Sequence, residues 1–178
     1  TITNNNTLIA AVESEYANTE DIDQQLSTAF SRLKQALPRI EVPKVYAQIS
    51  ALDQSIIVGN GAIGVSLDKY LGANYPLYIK YYSPSQRKQM TREYILPDCL
   101  TFYLMSIYPL DHFDSRPQLE RDLQIGKIQW IVNQVISKRI YRNKYEDAVD
   151  VYMKRNPNIS YETLLRMTDF AAFKVVEN

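Results

Sequence analysis

The sequence predicts an α+β fold, rich in helix, with a small three-stranded sheet or meander packed on helices. Three observations carry that prediction. Apolar residues recur at spacings of three and four through most of the chain, as one face of a helix requires. The period drops to two only between Val45 and Leu67. A Gly59-Asn60-Gly61 turn then separates two short apolar runs, as in a hairpin. At 178 residues the chain fits one domain. A domain of that size buries roughly 70% of the surface of its unfolded chain, so it needs neither disulfide nor structural metal.

Residues 1–7 are polar and read as a surface tail, and Leu8–Tyr16 as a first helix. Asn18-Thr19-Glu20-Asp21 supplies a cap and an acidic first turn for a second helix. Its apolar positions Ile22, Leu26, Ala29, Phe30, Leu33, Ala36 and Leu37 form one stripe, and Pro38 ends it. Val45, Ala47, Ile49 and Ala51 then alternate with Tyr46, Gln48 and Ser50 in a half-buried strand. Ser55–Val58 makes a second strand, and Ile63, Val65 and Leu67 share one face of a third. Three short consecutive strands predict a meander covered by helices.

A helical pattern runs from Gln86 to Tyr108 with Pro97 inside it, which predicts two helices meeting near Leu96-Pro97 or one kinked helix. Cys99–Tyr108 is apolar nearly all round and reads as a central buried helix. Ser115 and Pro117 open a long helix over Gln118–Ser137, in which Gly126 costs about 1 kcal/mol relative to Ala unless close packing needs it. Tyr145–Arg155 and Tyr161–Met167 follow as shorter helices, the last capped by Ser160.

Composition removes several classes of function. Twenty Lys plus Arg balance twenty Asp plus Glu, whereas a phosphate-driven nucleic-acid binder concentrates excess positive charge. The basic run Lys138–Lys144 reads as a solvated helix end, so no nucleic acid is inferred from it. Cys99 stands alone, which allows no internal disulfide, and its apolar neighbours predict an inert buried thiol. With His112 as the only histidine, a zinc site built from two or three His or Cys ligands cannot be assembled. Asp111-His112-Phe113-Asp114 offers one imidazole and two carboxylates on a loop, a weak basis for metal or acid-base chemistry. No apolar run reaches the roughly 18–20 residues of a membrane-spanning helix, and no signal peptide opens the chain.

The candidate binding residues are Tyr70, Tyr78, Tyr81, Arg92, Asp98 and Lys127. Fourteen tyrosines are many for this length, and Tyr70, Tyr75, Tyr78, Tyr81 and Tyr82 cluster past the sheet. Tyr suits a groove with one apolar and one wet end, but these residues read first as packing a sheet edge on a helix with local hydrogen bonds. Asp68 with Lys69, and Arg92 with Asp98, read first as ion pairs tying a loop to the central helix. Lys127 follows Gly126 on an apolar helix; with a buried stem and an amine in a cleft it would bind an anion.

Leu67-Asp68-Lys69-Tyr70-Leu71-Gly72-Ala73-Asn74-Tyr75-Pro76-Leu77-Tyr78 resembles the LDxYLGxxxPxY signature of the gliding-motility-associated lipoprotein B (GldB) family. Pro43–Ser50 is similar to the strand before that signature. Arg92–Asp98, Gly126-Lys127, Val151-Tyr152-Met153 with Asn156-Pro157, Ser160, Leu164-Leu165 and Asp169 match in order and spacing. The resemblance implies a cell-envelope lipoprotein of the Bacteroides phylum, periplasmic or associated with the outer membrane, anchored by a lipid on residues preceding Thr1. It also implies a zincin-like architecture, akin to zinc metallopeptidases with HExxH on a helix. The matching helix, Ile95–Tyr108, holds no histidine. The resemblance therefore implies a degenerate member without catalytic or metal residues and with no cofactor. It is shortened as well, with only Ser137–Asp147 where relatives insert a long segment.

The sequence thus leads to a non-catalytic envelope protein that binds a protein or glycan partner through a degenerate cleft or the Tyr-rich sheet edge. One alternative is an enzyme, either metallopeptidase-like or a carboxylate-based hydrolase using Asp98, Glu120 and Asp122 with a Tyr or Lys127. A third reading is a structural subunit that completes a complex through exposed apolar area.

Overall fold

A computed structural model describes residues 2–177, with side chains from Asn6 onward; Thr1 of the expected tail lies outside the described residues. The fold is helix-rich α+β with a three-stranded mixed sheet. The described residues gather into two compact units. The first holds the chain up to Thr28 together with Glu41–Phe102; the second holds Ala29–Ile40 and the chain from Tyr103 onward.

In the first unit, helix α1 spans Ile2–Glu15 and takes in most of the polar opening, which holds no Gly or Pro to stop a helix. Leu8, Val12 and Tyr16, four residues apart, are its buried stripe. Helix α2, Glu20–Ala36, begins in this unit and ends in the other. The Asn18 side-chain oxygen accepts the Glu20 N–H at 2.9 Å, and acidic Glu20, Asp21 and Asp23 occupy the electropositive first turn.

The sheet comprises β1 (Lys44–Gln48), β2 (Ile56–Gly59) and β3 (Ala62–Ser66) in the order β1-β3-β2. It is not the expected meander. The Asn60-Gly61 turn, both residues at positive φ, folds β3 back on β2, but β3 then lies between β2 and β1 and runs parallel to β1. β1 is therefore an edge strand. It ends at Gln48, because Ala51 and Leu52 take positive φ and leave the strand. Side-chain parity follows the sequence reading, with Ile63, Val65 and Ile56 buried on one face. Ala47 shares that face yet stays exposed, since an edge strand is covered from one side only.

After a 3₁₀ turn at Leu67–Lys69, α3 (Pro76–Tyr81) starts with proline in its first turn, where no N–H is needed. α4 (Pro84–Arg87) carries a capping box between Ser83 and Gln86. α5, Ile95–Ile107, opens at Ile95, so Pro97 falls in its first turn and neither breaks nor kinks it. Cys99, Leu100 and Leu104 are fully buried, whereas Phe102 and Ile107 reach solvent.

In the second unit, α6 (Gln118–Ile136), α7 (Lys144–Arg155) and α8 (Tyr161–Arg166) form the body. Asn143 caps α7 and Ser160 caps α8, each accepting backbone N–H groups of the first turn. Gly126 lets α6 and α7 approach: a Cβ there would stand 3.0 Å from the Tyr145 carbonyl carbon and 3.2 Å from the Glu146 nitrogen.

Candidate binding surface and the buried polar anchors

The signature segment works as a latch inside the first unit. Asp68 is fully buried, and its carboxylate accepts the backbone N–H of Ser50 at 2.9 Å and of Leu52 at 2.6 Å. It holds the loop whose Ala51 and Leu52 adopt positive φ. Lys69 does not pair with it. The Lys69 amine lies 4.8 Å from the centre of the Tyr82 ring and donates to the Tyr82 hydroxyl at 3.1 Å. The Tyr70 hydroxyl donates to Asp98 at 2.7 Å, and the Tyr70 carbonyl accepts the Tyr16 hydroxyl. Fully buried Tyr78 donates to the Asp68 carbonyl and accepts the Leu71 N–H at 3.2 Å. Gly72, at φ +112, makes the turn out of this knot and donates to the Met90 carbonyl. Burial raises the pKa of Tyr16, Tyr70 and Tyr78, the adjacent Asp98 adding to the shift at Tyr70.

Arg92 pairs with Asp21, not with Asp98. Its guanidinium meets the Asp21 carboxylate through Nε at 3.1 Å and Nη2 at 2.6 Å, and donates to the Glu15 and Asn18 carbonyls at 2.8 and 2.7 Å. It also stacks over Tyr16 at 5.0 Å. It thereby closes the α1–α2 corner, whose last carbonyls lack helical partners. The Arg92 bond holds the Asp21 carboxyl below its ordinary pKa. The expected loop-to-helix ion pairs are thus replaced by carboxylate-to-amide and phenol-to-carboxylate bonds.

Lys127 lies in the second unit and is fully buried. Its amine donates to Gln124 Oε1 at 3.0 Å and to the Met167 carbonyl at 2.5 Å, and sits 4.5 Å from the Phe170 ring centre and 5.6 Å from that of Phe173. Burial first, then the Arg116 charge, pulls its pKa down to about 8. A hollow of about 190 Å³ in this unit is walled by Met105, Tyr108, Leu110, Phe113, Ile125 and Ile128 with Gln124 at its edge. Lys127 stands behind Gln124 and is not on that wall. It clamps the segment after α8 to α6.

The carboxylates weighed for hydrolysis are engaged separately. Asp98 takes Tyr70, Glu120 takes Arg116 at 3.0 Å, and Asp122 takes the Gln118 amide at 2.9 Å. Glu120 and Asp122, two apart on α6, point to different sides of the helix. Among the described residues no three His, Cys, Asp or Glu stand close enough to hold a metal. Cys99 is buried and its thiol is pushed up to about 12 by desolvation and then Asp98.

Exposed apolar chemistry lies elsewhere. Tyr81 is 63% exposed at the end of α3, and Ile79 on the same helix is 54% exposed. On the sheet, register aligns Tyr46, Gly64 and Ile57 across the three strands. Their shared face is opposite that of Ile63 and Val65. Tyr46 is 56% and Ile57 44% exposed, and the Gln48 amide folds over the glycine between them toward Ser66 Oγ, at 3.2 Å. Sequence reading singled out the tyrosines after the sheet and passed over Tyr46 and Ile57, because only the strand order places Gly64 between them. It also passed over the buried Glu146, which binds Arg139 at 2.6 Å and the Asn133 amide at 3.2 Å; a Glu and an Asn on otherwise apolar faces were the available signal.

The molecule is a mixed α+β protein whose motif residues are spent on its own architecture. The profile of the family described as Gliding motility protein GldB matches residues 1–144, and the chain belongs to that family. Membership associates it with gliding motility, and the family's lipoprotein designation with the cell envelope. The run from Val151 to Asp169 that resembles the family lies beyond the matched residues. Nothing among curated proteins and nothing among solved structures matches the chain.

Proposed function

We propose that this chain is a non-catalytic, degenerate zincin-like member of the GldB family, acting at the periplasmic or outer-membrane side of the envelope by binding a protein or glycan partner. The observation that supports it most is the division of labour in the first unit. Asp68, Tyr70, Tyr78, Arg92 and Asp98 each spend their polar groups on internal bonds, while Tyr46, Gln48 and Ile57 face outward around Gly64. A ring, an amide and a branched aliphatic chain around a half-buried glycine make a platform on which a sugar ring or a peptide can lie. The sheet face is preferred to a cleft on α5, since that helix holds no histidine, its Asp98 is bound by Tyr70 and its Cys99 is buried.

The test is equilibrium dialysis against zinc with a peptide-hydrolysis assay, alongside retention of envelope extract on the immobilised chain. The reading expects a retained envelope component and no zinc-dependent hydrolysis. Stoichiometric zinc with peptidase activity would overturn it.

A further inference from the structure

We infer that the free edge of β1 is a docking edge for a second copy of this chain, the two β1 strands pairing antiparallel about a two-fold axis at Tyr46. Among the described residues, β1 hydrogen-bonds on one side only, to β3. Lys44 N–H donates to the Gly61 carbonyl, so in a parallel ladder Lys44, Tyr46 and Gln48 direct their backbone groups to β3. Val45 and Ala47 direct theirs outward. Each brings one N–H and one C=O, and unpaired groups of this kind are a template for another strand. The strand holds no proline or bulge to guard that edge, and Lys44 is its only charge.

The register selects a copy of itself. With the axis at Tyr46, Val45 faces Ala47 of the partner subunit and Ala47 faces Val45 of the partner subunit, so every outward N–H and C=O finds a mate. An axis at Val45 would set Ala47 against the partner's Pro43, which has no N–H. An axis at Ala47 would set Val45 against the partner's Ile49, beyond the end of the strand. The Tyr46 register also places Lys44 opposite the partner's Gln48, avoiding like charges. It brings the two Tyr46 rings side by side as a close, non-hydrogen-bonded pair. The two open faces then join, so this inference extends the proposed binding platform, on whose existence only its functional meaning rests.

Two five-residue strands bury less than the roughly 1,000 Å² of a stable interface, so association in dilute solution is concentration-dependent. Anchoring on one membrane would raise the effective concentration of the copies.

The experiment is sedimentation velocity from ~1 μM to ~1 mM together with oxidative cross-linking of single-cysteine variants of the purified chain. The wild type is expected to shift toward dimer with concentration. Ala47→Pro, which removes an outward N–H, and Tyr46→Lys, which opposes like charges on the axis, are expected to stay monomeric with unchanged circular dichroism. Tyr46→Cys is expected to form an interchain disulfide several-fold faster than Lys44→Cys; Cys99 is buried in both. A wild type monomeric throughout, equal cross-linking at both positions, or dimerisation of Ala47→Pro equal to wild type would overturn the inference. None of these results bears on retention of an envelope component, so the proposed function stands or falls separately.

Discussion

Lys127 makes stability depend on pH in an unusual direction. Its folded pKa is depressed from 10.5 to about 8, so the native state carries the cation at a cost below pH 8. That cost is relieved as pH rises through 8, because the unfolded chain still binds the proton up to about 10.4. Stability from this group therefore rises between pH 8 and 10.5. Integrated from pH 7 to 9, a 2.5-unit depression gives about 1.4 kcal/mol, or about 1 kcal/mol after discounting for solvent screening. Cys99 works the other way above pH 9, since its raised folded pKa makes the unfolded thiolate the favoured ion, and the buried tyrosines follow above pH 10. Urea denaturation of wild type and Lys127→Met at pH 7 and 9 isolates the lysine, because the other groups cancel in the difference. Wild type should gain about 1 kcal/mol relative to the variant over that range. An identical pH slope in the two proteins would refute the reasoning.

Gly126→Ala should destabilise by about 1 kcal/mol in urea melts: the helix-propensity gain of about 1 kcal/mol is outweighed by roughly 1–3 kcal/mol of overpacking against Tyr145 and Glu146 backbone. A stabilised variant would show that α7 can give way. Asp68→Asn leaves one acceptor oxygen for two N–H groups and turns an amide toward one of them, costing about 1–3 kcal/mol; hydrogen exchange at Ser50 and Leu52 should accelerate, and unchanged exchange would remove the latch. Glu146→Gln should lower the melting temperature by several degrees through loss of the half-buried Arg139 pair, read by calorimetry, with no change counting against that network.

Helices were the most legible part of this sequence, because stripes such as Leu8, Val12 and Tyr16, and caps such as Asn18 and Ser160, are set by neighbours a few residues away. The sheet was legible in parity but not in order. Ile63 and Val65 are buried as alternation demands, yet alternation is equally compatible with a meander and with β3 inserted beside β1. The pattern around Pro97 predicts two helices meeting near Leu96-Pro97 or one kinked helix, whereas the proline sits in the first turn of α5, whose start at Ile95 carries no side-chain cap signal in the sequence. The candidate site was least legible. Asp68, Arg92 and Asp98 stand out in the sequence, but their partners lie at sequence separations of 16–18, 71–77 and 28, where local pattern carries no information. The Tyr46–Gly64–Ile57 row exists only once three strands are in register.

The central claim is that the motif residues hold the fold while the open sheet face meets the partner. It is tested most directly by quantifying retention of an envelope component on immobilised wild type, Ile57→Asp and Asp98→Asn, each verified as folded. The account predicts that Ile57→Asp loses retention at least tenfold while folded Asp98→Asn keeps it. Loss on Asp98→Asn with full retention on Ile57→Asp would contradict it.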